Sequence, residues 1–139
     1  MRAIAAALLG GCALLLVELR FEHREVLGET WHSWVPLVYA AVTLLAGAVA
    51  LLRWNGAGRR ALGVLFALGV GVGLAGLWFH TEGHPVRELS AVVGIWGAPI
   101  GSDGGIKQGR PPALAPLAFC GLGTLGVLAC FSPPSRRAG

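Results

Sequence analysis

Charge is what this sequence has least of. Only 13% of the 139 residues are charged and 55% are apolar, whereas an ordinary soluble domain carries about 25% charged residues. So few charges cannot cover a water-soluble sphere of this size, which argues against a soluble enzyme. The apolar surplus equally excludes disorder. Cysteine is scarce as well: there are three, with no Cys-x-x-Cys spacing and none outside an apolar run. That excludes a disulfide framework and a zinc ribbon, and Cys12, Cys120 and Cys130 read as small apolar fillers. No stretch alternates with period two, so a β-barrel is not supported. The net charge of +4 hints at nucleic acid, but the basic residues form no stripe and that partner is excluded. What remains is an integral membrane protein, at this length a single bundle.

Four apolar stretches approach the roughly 20 residues that a helix needs to cross about 30 Å of hydrocarbon. They predict spans over approximately 3–20, 34–52, 61–79 and 113–131, giving an all-α fold: an integral membrane four-helix bundle. Glu18 is the single charge near the end of the first span, and the other three contain none. Trp31, Trp34, Trp54, Trp78, Phe79 and Phe131 stand at span ends, where an aromatic ring with a polar edge prefers to lie. Leu9-Gly10-Gly11-Cys12 looks like a lipoprotein cleavage box, yet the apolar run continues through Val17. A cleaved signal ends at its cysteine, so this span reads as retained.

Four spans place both termini on one side. That side holds Arg2, Arg53, Arg59, Arg60, Arg136 and Arg137 and no acid, a net of +6. The other side holds Arg20, Arg24, Arg87, Lys107 and Arg110 with all seven acids, Glu18, Glu22, Glu25, Glu29, Glu82, Glu88 and Asp103, a net of −2. Arginines in the short 53–60 loop weigh most in the positive-inside rule, so the termini are expected in the cytoplasm of a cell with the chain in its inner membrane. The long extracytoplasmic loop between spans 3 and 4 contains an apolar piece, 89–100, too short to cross. It reads as an interfacial or re-entrant segment. Gly101-Ser102-Asp103-Gly104-Gly105 then reads as a turn; no Gly-Lys-Ser/Thr follows a strand, so it is no phosphate loop.

Glycine is abundant, at 22 residues. Gly69 and Gly73 form a Gly-x-x-x-Gly pair in the third span. Ala6/Gly10, Ala7/Gly11 and Ala46/Ala50 repeat the small-residue spacing in the first two. Such residues let helix backbones approach in lipid, either within the chain or against another membrane subunit.

All four histidines share a side with all the acids. Glu18, Glu22, Glu25, Glu29 and His32 follow steps of 4, 3, 4 and 3, one stripe of a continuous helix. Glu29-Thr30-Trp31-His32 is a single Glu-x-x-His unit, the spacing of di-iron bundles. His80-Thr81-Glu82-Gly83-His84 does not repeat it. The donor set His23, Glu25, Glu29, His32, His80, Glu82 and His84 suits zinc, copper or iron, and His32 with His80 is the pair that haem would require. The plain alternative is a solvated polar rim. Inside the spans the polar side chains are few, chiefly Glu18, Tyr39, Thr43 and Thr124, whereas ion and proton pathways need ionisable residues within the bundle.

Glu22-His23 after the first span, Trp34 and Pro36 opening the second, Trp78-Phe79-His80 closing the third and Pro112-Ala113-Leu114-Ala115-Pro116 opening the fourth resemble a group of small bacterial four-span membrane proteins. The resemblance implies the same topology and carries no catalytic residue across. The leading functional expectation is a small non-catalytic membrane subunit or accessory protein packed on a larger respiratory or photosynthetic complex. The alternatives are a metal- or haem-binding membrane protein and a small transporter or channel component.

Overall fold

The computed structural model describes residues 1–22, 24, 27–28, 30–87, 89–90 and 116–132. Among them the regular structure is entirely helical. Helix α1 runs Arg2–Glu22, α2 Trp34–Leu52, α3 Gly56–His80 and α4 Leu117–Phe131, and a single 3-10 turn, Trp31–Ser33, leads into α2. Three helical segments, Arg2–Glu22, Trp31–Leu52 and Gly56–His80, have the length and composition of transmembrane helices.

α2 covers its apolar run from end to end, Trp34–Leu52, whereas the start of α3 follows capping chemistry. α3 begins five residues before its apolar run, because Asn55 Oδ1 accepts a hydrogen bond from the Gly58 amide at 2.8 Å and so satisfies one of the orphan donors of a first turn. The turn between α2 and α3 is thus only residues 53–55, and Arg59 and Arg60 are helical. α4 is described from Leu117, with Pro116 as its cap; a proline fits there because the first amides of a helix have no intrahelical acceptor. Residues 111–115 lie outside the described residues, as does the 89–100 segment apart from Leu89 and Ser90, so the interfacial or re-entrant reading falls there.

Successive helices run antiparallel. Gly47 faces Leu9 and Leu62, Gly69 faces Tyr39, and Gly73 faces Pro116 and Cys120. α3 packs on α4 most extensively, α2 on both α1 and α3, and α1 also touches α4. The α3–α4 contact is close because glycine lines it. A Cβ on Gly73 would stand 2.6 Å from Cys120 Sγ and 2.7 Å from the Pro116 carbonyl, and one on Gly123 2.6 Å from the Phe66 carbonyl. Gly126 lies flat against the Phe66 ring. Without side chains in the way, the two backbones gain dispersion contact along their length. Phe66 and Leu62 are fully buried in a core completed by Ala5, Leu8, Leu9, Cys12, Ala50, Ala129 and Cys130. All three cysteines are free thiols.

Candidate functional site

The packing separates two ends with different chemistry. One end gathers the start of α1, the α2–α3 turn and the close of α4. It carries Arg2, Arg53, Arg59 and Arg60, and no acid among the described residues. The other gathers the close of α1, the Trp31–Ser33 turn, the close of α3 and Pro116. It carries the described histidines His32, His80 and His84 and the described acids Glu18, Glu22 and Glu82.

At the histidine end the expected acidic stripe is broken. α1 closes at Glu22, Leu27 and Gly28 lie in a turn, and Thr30 is extended (φ −135°, ψ 128°). Glu18 and Glu22 therefore share a helix, but His32 belongs to the next element. Gly28 supplies one reason, since glycine loses the most backbone freedom in a helix. Thr30 supplies another: its hydroxyl hydrogen-bonds that of Ser33 at 2.5 Å, a side-chain turn that competes with helix. Trp34 Nε1–H donates to the Leu27 carbonyl at 2.9 Å, folding the connection over the start of α2.

His32 is half-buried, and its ring stacks on Phe79 of α3 with centroids 4.9 Å apart and planes 13° apart. Trp31 meets its edge at 6.0 Å. His80 and Glu82 sit at the close of α3 and His84 just beyond. There the Glu82 amide bonds the Phe79 carbonyl and the Gly83 amide the Trp78 carbonyl, at 3.3 and 3.0 Å. This is a Schellman motif. Its left-handed residue is Glu82 (φ 51°), followed by Gly83 (φ 78°). The Thr81 hydroxyl adds a third cap, donating to the Leu77 carbonyl at 2.7 Å. Among the described residues no three His, Cys, Asp or Glu side chains converge as a metal site. His23, Glu25 and Glu29 of the expected ligand set lie outside them.

At the arginine end one side chain does most of the joining. Arg59 donates from Nε and Nη2 to the Cys130 carbonyl at 3.1 and 2.7 Å, and from Nη2 to the Ser132 carbonyl at 3.1 Å. The last carbonyls of a helix have no intrahelical partners and carry the negative pole of its dipole. A cation on the first turn of α3 opposes that helix's own dipole; here the end of α4 compensates it. The guanidinium also lies near the Trp54 ring, 5.9 Å from its centroid. Sequence reasoning assigned Arg59 to a loop and missed this bridge. Its signal was present, since Arg59 lies one turn past the Asn55 cap.

The small residues divide by direction. Gly69, Gly73 and Ala50 are buried within the chain, and Gly11 faces Leu122. Gly10 and Ala46 are exposed, with open space beside Gly10. In the interior, the Tyr39 hydroxyl donates to the Leu65 carbonyl at 3.0 Å, and Thr43 is fully buried. No family model, curated protein or solved structure matches the chain.

Proposed function

We propose that the chain is a small non-catalytic integral membrane subunit: a four-span bundle in the inner membrane, termini cytoplasmic, packed against a larger membrane complex of respiratory or photosynthetic kind. The observation that carries the membrane part is the outward face of the helices. Leu14, Leu45 and Leu52 are 74%, 75% and 76% exposed. Val17, Val38, Val42, Val49, Leu74, Leu125 and Leu128 are exposed beside them. A helix facing water puts polar residues at such positions; lipid tails accept these side chains without cost. The described part of α4, 15 residues, is about 22 Å long. The sequence is already apolar from Ala113, which extends the stretch toward a full crossing. The positive-inside rule turns the arginine end to the cytoplasm.

A partner subunit is favoured by α1. Its Ala3, Ala6, Ala7 and Gly10 are exposed, a small-residue face not filled from within the chain, whereas Gly69 and Gly73 already have internal neighbours. Such a face lets another helix approach closely. The acidic, histidine-bearing end would then meet the partner outside the membrane.

The test is gentle isolation of the tagged chain from its native membrane with chemical crosslinking. A specific membrane protein is expected to co-purify and to be lost in Gly10→Leu at unchanged helix content. A chain isolated alone overturns the subunit reading. Release of the chain by alkaline carbonate overturns the membrane reading. A reporter fused after Gly139 is expected to read cytoplasmic; a periplasmic signal overturns the orientation.

A further inference from the structure

We infer that the cleft between the start of α3 and the end of α4 seats the phosphate of an anionic phospholipid headgroup, an assignment that rests on the membrane reading above. The cleft is an open surface groove of about 280 Å³ lined by Gly56, Arg59, Arg60, Cys130 and Phe131. One water occupies roughly 30 Å³ of liquid, so this space admits a phosphate group with its hydration. Both arginines bring donors to it. A guanidinium has five N–H donors; Arg59 spends those of Nε and Nη2 on α4 carbonyls, and the pair on Nη1 remains. Arg60 is exposed, and its guanidinium makes no hydrogen bond or ion pair with any described residue. Arg53, also exposed and with no side-chain partner among the described residues, adds a third positive charge on the adjoining turn. The described acids, Glu18, Glu22 and Glu82, are all at the opposite end, so among the described residues only the carbonyl end of α4, already engaged by Arg59, offsets the positive charge of the cleft. Planar guanidinium groups pair with phosphate oxygens two bonds at a time.

The surroundings of Arg60 select a lipid over a free anion. Val64 and Leu68 follow it at i+4 and i+8, the same face of α3, and are 54% and 58% exposed. Phe131, exposed on α4, borders the cleft itself. A cation therefore stands at the head of an outward apolar stripe, the arrangement that an acyl chain under a phosphate headgroup matches. Inorganic phosphate makes no use of the stripe, and a choline headgroup brings its own cation to an already positive site.

The experiment is native mass spectrometry of the full chain in detergent, titrated with phosphatidylglycerol, with phosphatidylcholine of the same acyl chains and with inorganic phosphate. Preferential retention of phosphatidylglycerol is expected. Arg60→Ala should weaken it about fivefold, the effect of one arginine at an anionic lipid surface. Arg60→Lys should restore most of that loss, and Arg20→Ala, at the opposite end, should leave retention unchanged. Equal retention of the two lipids overturns the assignment, as does an Arg20→Ala effect equal to that of Arg60→Ala. Inorganic phosphate bound as tightly as the lipid reassigns the cleft to a free anion and overturns it too. Circular dichroism checks each variant. If Arg60→Ala loses helix, the Arg60→Lys and Arg60→Gln pair carries the same comparison. Carbonate extraction separates the two levels: a chain that resists carbonate but shows no lipid preference sinks the headgroup site alone.

Discussion

The two ends of this molecule close their helices in opposite ways. At the arginine end the close of α4 is capped by a side chain from α3, Arg59, reaching carbonyls 71 and 73 residues away in sequence. At the histidine end α3 is capped by its own continuation, through Thr81, Glu82 and Gly83, and the His32–Phe79 stack reaches across from the Trp31–Ser33 turn. The first device makes two helices share one fate. The second lets a helix end whether or not its neighbour is in place. Damage at the arginine end should therefore spread from α3 to α4, and damage at the histidine end should stay near its source.

The largest effect is expected from Arg59→Met, which keeps much of the apolar stem and removes every donor. Hydrogen bonds from a charged group contribute about 1.5–3 kcal/mol, and Arg59 is half-buried, so a loss of about 2 kcal/mol is expected in reversible unfolding in mixed micelles. Amide exchange should speed up in the last turn of α4 as well as the first turn of α3. Exchange that changes in α3 alone would break the contrast.

Next comes Gly83→Ala. At φ 78° an L-residue is disfavoured by about 1–2 kcal/mol, and the added Cβ would stand 3.3 Å from the Trp78 ring. The expected cost, about 1.5 kcal/mol, should appear as fraying of α3 from Trp78 onward with α4 unaffected. His32→Ala should cost less, about 1 kcal/mol, the scale of an aromatic pair. Near-ultraviolet circular dichroism should record the change around Trp31. An effect as large as that of Arg59→Met would make the stack a second long-range lock.

The expectations that held and those that moved divide along the same physical line. Hydropathy located the cores of α1, α2 and α3 because an apolar run is what lipid selects. It matched both ends of α2 but missed the start of α3, because it stops where charge starts, whereas a helix starts where its backbone groups find partners. Asn55 carried α3 back to Gly56, so that two arginines read as loop became helical. The stripe from Glu18 to His32 had helical spacing, but spacing cannot register the extended backbone at Thr30 or the turn at Gly28. Glycine was legible as packing in α3, where Gly69 and Gly73 are four apart. It was overlooked in α4, where Gly123 and Gly126 are three apart and make comparably close contacts.

The smallest effect tests whether the histidine end is strained. Glu82 holds the left-handed position of the α3 cap, where glycine is usual, and it sets a negative charge beside the negative pole of that helix. Replacing it by glycine relieves the backbone but adds unfolded-chain entropy, and the two nearly offset. It also removes the carboxylate and its interactions. Glu82→Ala removes the same carboxylate while keeping the backbone penalty. The difference between the two variants therefore isolates the left-handed geometry. A cost of about 1–2 kcal/mol for an L-residue, less about 0.5–1 kcal/mol for glycine entropy, puts Glu82→Gly about 0.5–1 kcal/mol above Glu82→Ala in stability. Equal stabilities would mean that the α3 cap in solution is not left-handed at Glu82. The histidine end would then lose the local closure that sets it apart from the arginine end.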